Sequence, residues 1–184
     1  MQVIAGNLKG VKLFTPLDNT TRPTLSRVKE AFFNIIQASI SNSTFLDIFS
    51  GTGQIGIEAI SRGVHYCAFV DNTTHNLIQK NIKKVKLCEQ TNSTYNVFSE
   101  DFINLAPKLQ DKKFDYIYMD PPHSYDNISA IFSLIRNYNM LNNTGQIILE
   151  ESNKKDIINV KNFIVDNTRV YGKTRLVFFS KEGL

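Results

Sequence analysis

A doubly wound α/β domain is predicted by three observations. Continuous apolar runs alternate with segments of helical periodicity through the middle of the chain, a glycine-rich turn follows the first of those runs, and several runs end on an acid. Such alternation implies parallel strands joined by right-handed crossover helices. The acids and glycines matter because ligands of these sheets bind outside the carboxyl ends of the strands.

The elements follow in chain order. "QVIAG" and "VKLF" flank "NLKG" and predict a short hairpin. The loop "TPLDNTTRPT" leads into a helix in which Leu25, Val28, Ala31, Phe32, Ile35 and Ile36 recur at helical spacing, with Arg27, Glu30 and Asn34 off that face. "TFLDIF" is a buried strand, and "QIGIEAISRG" a helix closed by Gly63. "HYCAFVD" with "THNLIQKNIKKVKL", "TYNVFSED" with "DFINLAPKL", and "FDYIYMD" with "ISAIFSLIRNYNML" repeat the strand–helix pattern before the strand "GQIILEE". "NFIVDNTRVYG" and "KTRLVFFS" then predict two strands joined around Gly172, an antiparallel finish.

Composition narrows the class. The 184 residues fit one domain, 42% hydrophobic and 21% charged, in the range of soluble globular proteins. No apolar run approaches the roughly 20 residues that cross a bilayer, and "MQVIAGNLKG" lacks the apolar core of a signal peptide, so a cytoplasmic monomer with no membrane partner is expected. Cys67 and Cys88 have no metal-ligand spacing; Cys67 reads as a small buried hydrophobe and Cys88 is left unassigned. His65 and His75 have no metal-like partner either, and no metal site is expected. The net charge of +4 permits nucleic acid as a partner without requiring it. Lys9, Lys12, Arg22, Arg27 and Lys29 crowd the first thirty residues, against only Asp18 and Glu30. The run "QKNIKKVK", with Lys80, Lys83, Lys84 and Lys86, reads as a solvated helix stripe.

"LDIFSGTGQIG" places Gly51, Gly53 and Gly56 after the first parallel strand and at the start of a helix. Glycines there allow a tight turn and close approach of a ligand to the backbone, but the spacing alone serves dinucleotide enzymes and methyltransferases alike. Asp71, ending the next strand, suits the hydroxyls of a ribose in both cases. Asp47 shifts the balance, because a carboxylate beside this turn repels a pyrophosphate and favours the cationic sulfur and ammonium of S-adenosylmethionine. Asp101 suits an adenine amino group, with Phe102 against the ring.

"DYIYMDPPHSYDN" puts Asp120, Pro121 and Pro122 at the end of the fourth parallel strand, on the same sheet edge. The prolines stiffen the loop and leave carbonyl oxygens without neighbouring donors. The Asp120 carboxylate and the Pro121 carbonyl are two acceptors for the hydrogens of an amino group on a conjugated ring. Held there, the nitrogen presents its lone pair to an incoming methyl group, which is catalysis by positioning and by stabilising developing positive charge.

"DPPHSY" resembles the [DNS]-PP-[YF] motif of amino-methyltransferases that use S-adenosylmethionine. "RPTLSRVKEAFFNII" resembles the R-P-T-x-x-R-V-[KR]-E-[AT]-[LF]-F-N signature of the RsmD family, bacterial methyltransferases of guanine N2 in 16S ribosomal RNA. "VIAGNLKGVKL" is similar to that family's opening and "VYGKTRLVFF" to its closing strand, so the likeness covers almost the whole chain. The resemblance implies a Rossmann-like class I methyltransferase fold with a mostly parallel seven-stranded sheet and an antiparallel C-terminal strand. Residues 1–40 form a hairpin-and-helix extension expected to contact RNA, and residues 41–184 form the core.

The family's cofactor loop falls on Asp47, Phe49, Ser50, Gly51, Gly53 and Gly56, its ribose side on Asp71 and Asn72, and its adenine side on Asp101 and Phe102. The catalytic segment falls on Asp120, Pro121, Pro122 and His123, the histidine replacing the usual Tyr or Phe; base stacking is open between His123 and Tyr125. Arg22 and Thr24 match a segment expected to fold over the site, and Lys9, Lys12 and Arg27 are further candidates for RNA phosphates. The implied partner is 16S rRNA, free or in the 30S subunit or its assembly intermediate. Three other readings compete. A DNA adenine-N6 methyltransferase would normally carry an added target-recognition region, for which this chain has no spare segment. A nonenzymatic ribosome-assembly factor has no use for an intact glycine loop with Asp71 and Asp120–Pro121. A dehydrogenase has nothing near Asp120 suited to hydride transfer.

Overall fold

Strand β4 (Phe114–Met119) is buried along almost its whole length, as a strand must be when both faces of its sheet are covered. The computed structural model describes residues 1–15 and 26–183. Its strands are β1 (Thr44–Ile48), β2 (Tyr66–Val70), β3 (Thr94–Phe98), β4, β5 (Leu141–Ser152), β6 (Phe163–Tyr171) and β7 (Thr174–Lys181), in the sheet order β3-β2-β1-β4-β5-β7-β6. Strands β1 to β5 pair in parallel, and β7 lies between β5 and β6, antiparallel to both. The chain moves outward from β1 through β2 to β3, then returns to β4 on the other side of β1. That reversal opens a crevice at the carboxyl ends of β1 and β4.

The helices are α1 (Ser26–Ile36), α2 (Gln54–Ser61), α3 (His75–Lys84), α4 (Leu87–Gln90), α5 (Phe102–Leu105) and α6 (Ile128–Asn137). Side chains alternate across the strands and build two cores. On one face Phe45, Tyr116, Tyr118 and Phe178 pack with Phe32 and Phe33 of α1 and with the N-terminal segment. On the other, Leu46, Ile117, Met119 and Phe179 pack with Leu105 of α5 and Ile131, Phe132 and Ile135 of α6.

Several boundaries differ from expectation, each for a physical reason. Pro107 tightens the end of "DFINLAPKL" into a 3-10 turn, Ala106–Leu109, so α5 is a single turn. Strand β5 begins at Leu141, before the apolar run, because Phe114 already pairs with Leu141 and the register then shifts. The buried face of α1 keeps Val28, Phe32 and Ile36, as periodicity suggested, but extends to two further residues and loses one. Phe33 and Lys29 are 0% and 1% exposed, whereas Ile35 is 41% exposed, because α1 lies between the sheet and the N-terminal hairpin.

That hairpin has one antiparallel bridge, Gln2 to Lys12, and is fixed by Glu58 of α2. The fully buried Glu58 carboxylate accepts hydrogen bonds from the backbone N–H groups of Ile4 (2.8 Å) and Ala5 (3.0 Å), and pairs with Lys29 (3.1 Å) and Arg62 (3.0 Å). Lys29 also donates to the Gln2 carbonyl at 2.8 Å. Burial drives the Lys29 pKa down and Glu58 opposes that shift, so the lysine belongs to the interior and not to the basic surface its position suggested. Gly6 closes the contact, since a Cβ there would fall 1.7 Å from the Ser61 carbonyl oxygen.

Candidate active site

The glycine loop is built by its own backbone and two acids. After β1 the chain reverses through left-handed residues at Phe49 (φ 63°), Gly51 (φ 55°) and Gly53 (φ 76°) before α2 begins at Gln54. The Ser50 hydroxyl donates to the Asp47 carbonyl at 2.6 Å and accepts from the Val70 N–H at 3.0 Å, tying the turn to β2. Asp47 Oδ2 accepts the Gly56 N–H at 3.0 Å. Gly56 is required by packing, because a Cβ there would lie 2.2 Å from the Phe69 ring.

Asp71, expected on the ribose side, binds the protein's own backbone. Its Oδ2 accepts the Gly51 N–H at 2.9 Å, while Oδ1 accepts the N–H of Thr73 (2.9 Å), the Thr73 hydroxyl (2.9 Å) and the N–H of Thr74 (2.7 Å). Burial pushes its pKa up, but the N–H groups of Thr74, Gly51 and Thr73 outweigh it and hold the carboxyl below its ordinary value. Asp47 behaves in the opposite way. It is 2% exposed, and burial raises its pKa to about 8, with Asp71 adding to the rise and the Gly56 N–H opposing it. Asp101 caps α5 by accepting the Ile103 N–H at 2.8 Å through Oδ1.

The acid–proline segment leaves β4 directly opposite this loop. Asp120 follows Met119, which pairs with Ile48 of β1, so the two carboxyl strand ends are neighbours. Pro122 and His123 are exposed, and the Tyr125 N–H closes a turn onto the Pro122 carbonyl at 2.9 Å. Tyr125 turns inward, with its ring edge-on to Phe49 at 4.8 Å and 68°. Beneath Asp120, the buried Tyr118 hydroxyl donates to Glu150 of β5 at 2.5 Å. Burial, then Glu150, then Asp120 push the Tyr118 phenol well above its usual range.

A cavity of about 540 Å³ joins the two segments, lined by Asp47, Phe49, Ser50, Gly51, Asp71, Asn72, Asp101, Phe102, Asp120, Pro121, Pro122 and His123. It therefore gathers the predicted cofactor and catalytic residues, except Gly53 and Gly56, which support the loop from behind. Carboxylates Asp47, Asp71, Glu100, Asp101 and Asp120 face it, and no lysine or arginine is among its described lining residues. Such a lining suits a cationic ligand and opposes a pyrophosphate. Tyr118 and Glu100 were missed in the sequence; Tyr118 reads there only as strand interior. Among the described residues no three His, Cys, Asp or Glu side chains form a metal-binding group, and no helix is long and apolar enough to cross a membrane. Cys67 is buried and free; burial, with Asp47 adding, pushes its thiol up.

The basic candidates divide between the two edges of the sheet. Lys9 belongs to the hairpin tip beside Ser61, at the end of α2 remote from the glycine loop. Lys12 sits opposite Gln2 in the bridge. Arg27 reaches the carboxyl edge of β1 and β4, its guanidinium lying where a Cβ on Gly172 would be only 2.5 Å from Nη2. Asn153 is bonded to the Lys173 carbonyl (3.0 Å) and the Gly172 carbonyl (2.8 Å), which brings exposed Lys154, Lys155 and Lys173 to that edge. Arg22 and Thr24 lie outside the described residues.

A family model described as "Conserved hypothetical protein 95" matches residues 1–180. Proteins named ribosomal RNA small subunit methyltransferase D are similar to the chain: one from Buchnera aphidicola subsp. Acyrthosiphon pisum is 31% identical, covering 91% of this chain and 86% of its own length. One from Haemophilus influenzae is 32% identical, covering 94% and 89%. A solved Escherichia coli chain, described as a candidate methyltransferase, superposes with a TM-score of 0.83 at 21% identity, over 100% of this chain and 99% of that one. The glycine loop facing an acid–proline turn and the match along nearly the full length agree: the chain belongs to the RsmD family of methyltransferases.

Proposed function

We propose that the protein transfers a methyl group from S-adenosylmethionine to the exocyclic N2 amine of one guanine in 16S rRNA, in the assembling small subunit. The observation that carries the reading is the acid-lined cavity that joins the glycine loop to Asp120 and Pro121. The residues present fit the cofactor, because a sulfonium and an ammonium supply the positive charge that buried Asp47 lacks. Asp71 and Asn72 would hold its ribose, and Asp101 with Phe102 its adenine. The relatives named as small-subunit rRNA methyltransferases support rRNA as substrate.

S-adenosylmethionine supplies the electrophilic methyl group; the chain's own residues orient the amine that receives it. Asp120 Oδ and the Pro121 carbonyl accept the two N–H groups of the target amine and aim its lone pair across the cavity. The positive charge that develops on nitrogen is stabilised by the Asp120 carboxylate, and the proton released passes to Asp120 or to water. His123, exposed at the rim, offers a ring face to the target base. Arg27, Lys154, Lys155 and Lys173 supply phosphate contacts on the catalytic edge, and Lys9 and Lys12 extend them along the hairpin.

The test is methylation of unmodified 30S subunits, free 16S rRNA and DNA with labelled cofactor, followed by mass spectrometry of the digested nucleosides. N2-methylguanine from 16S rRNA or the subunit is the expected product. N6-methyladenine, or label in DNA alone, would overturn the assignment, and absence of cofactor binding would favour an assembly factor.

A further inference from the structure

Tyr125 and His123 are two residues apart and both line the cavity, but they face different ways. His123 is exposed beyond Pro122, whereas the Tyr125 ring is folded inward, edge-on to Phe49 at 4.8 Å. The turn that does this is closed by the Tyr125 N–H on the Pro122 carbonyl at 2.9 Å. Phe49 itself holds a left-handed conformation, φ 63°, that side chains seldom adopt; the fold keeps that strained residue at the wall of the cavity. The Tyr125 hydroxyl is buried and makes no hydrogen bond, one of two such side-chain atoms among the described residues. Asp101, on the adenine side of the cavity, is the charge that acts on it, adding to the effect of burial.

A buried hydroxyl without a partner is unfavourable, and proteins retain one mainly where something else completes it. We infer that Tyr125 serves the cofactor and His123 the target base: the Tyr125 ring closes the adenosyl end of the cavity against Phe49, and a polar atom of the bound adenosyl group completes its hydroxyl. The inference rests on S-adenosylmethionine being the cofactor. The hydroxyl is covered in this structure, so the inference requires the exposed turn through Ser124 to yield as the ligand enters. An aromatic placed for stacking on an extruded base has to present a face to solvent, and the Tyr125 ring is instead partly buried in a T-shaped contact with Phe49.

Calorimetry with S-adenosylmethionine and steady-state methylation of 30S subunits test the division. Tyr125→Phe keeps the ring and removes the hydroxyl. Its cofactor Kd is expected to rise about fivefold to tenfold, the loss of one hydrogen bond, with the KM for RNA within about twofold of wild type. His123→Ala is expected to do the reverse, raising the RNA KM and leaving cofactor Kd unchanged. Tyr125→Phe binding the cofactor as tightly as wild type would overturn the inference, as would a rise confined to the RNA KM. Wild-type protein that binds no S-adenosylmethionine would instead sink the cofactor reading itself.

Discussion

The two loops that meet in the cavity are built on opposite plans. The glycine loop is held by the protein: Asp47, Ser50 and Asp71 bind its backbone, and Asp71 is itself fixed by three further hydrogen bonds from Thr73 and Thr74. The acid–proline segment has one backbone turn, two proline rings and exposed residues at its tip. A small cofactor of fixed shape is best met by a loop already in place, since ordering it on binding would subtract from affinity. A large RNA needs access, so rigidity there is confined to the acceptor pair and supplied by the strand and the prolines.

Removing Asp120 should separate the two plans most sharply. Asp120→Ala and Asp120→Asn are expected to slow methyl transfer at saturating cofactor by about a hundredfold to a thousandfold, the range for losing one preorganised polar contact in a reaction centre. Calorimetry should find cofactor affinity within about threefold of wild type. Unchanged turnover would remove Asp120 from the mechanism.

A pair of small substitutions compares the rigidity of the loops directly. Gly56→Ala forces a Cβ to within 2.2 Å of Phe69 and 2.9 Å of Cys67 Sγ, and should lower unfolding free energy by about 1–3 kcal/mol while weakening cofactor binding. Ser124→Ala, in the exposed turn, should change stability by less than about 0.5 kcal/mol. Equal losses in chemical denaturation would mean that the turn is as tightly built as the loop.

Asp47 gives the comparison a pH dependence. Its folded-state pKa of about 8 stands above the ordinary value of 3.8, so between those limits the native state holds a proton that the unfolded state has lost. Native stability from this group therefore declines as pH rises across that window. Cofactor binding runs the other way: a cationic ligand favours the ionised acid, so Kd should tighten severalfold as pH rises from 6.5 to 9 (about 8 being the midpoint). Repeating the titration with Asp47→Asn subtracts the ligand's own ionisation; an identical pH profile in the variant would remove Asp47 as the source.

The smallest effects belong to the basic edge. Replacing Lys154, Lys155 and Lys173 together with glutamine should raise the RNA KM severalfold and flatten its salt dependence, with cofactor Kd unchanged. The same change at Lys9, on the far edge, should have less effect; the reverse order would place RNA across the hairpin tip instead.

Much of this is legible in the sequence. The glycine loop and the Asp120–Pro121 pair are contiguous in sequence and sit at strand ends, where alternation alone places them on one edge. The extended helix face was not legible, because a buried Lys29 looks like any surface lysine until Glu58, far along the chain, is known to face it. Nor was the bond from the Gly51 N–H to Asp71 legible, because it joins the end of β2 to the turn after β1.

Local patterning determined the sheet, its helices and the chemical types at its carboxyl edge, because periods of two and of 3.6 residues and the demands of tight turns are written residue by residue. Only the tertiary structure decided which acids are charged, which tyrosine faces inward and which cations reach the site. Those properties depend on burial and on partners from distant segments, and the fold brings them together only after the local elements are made.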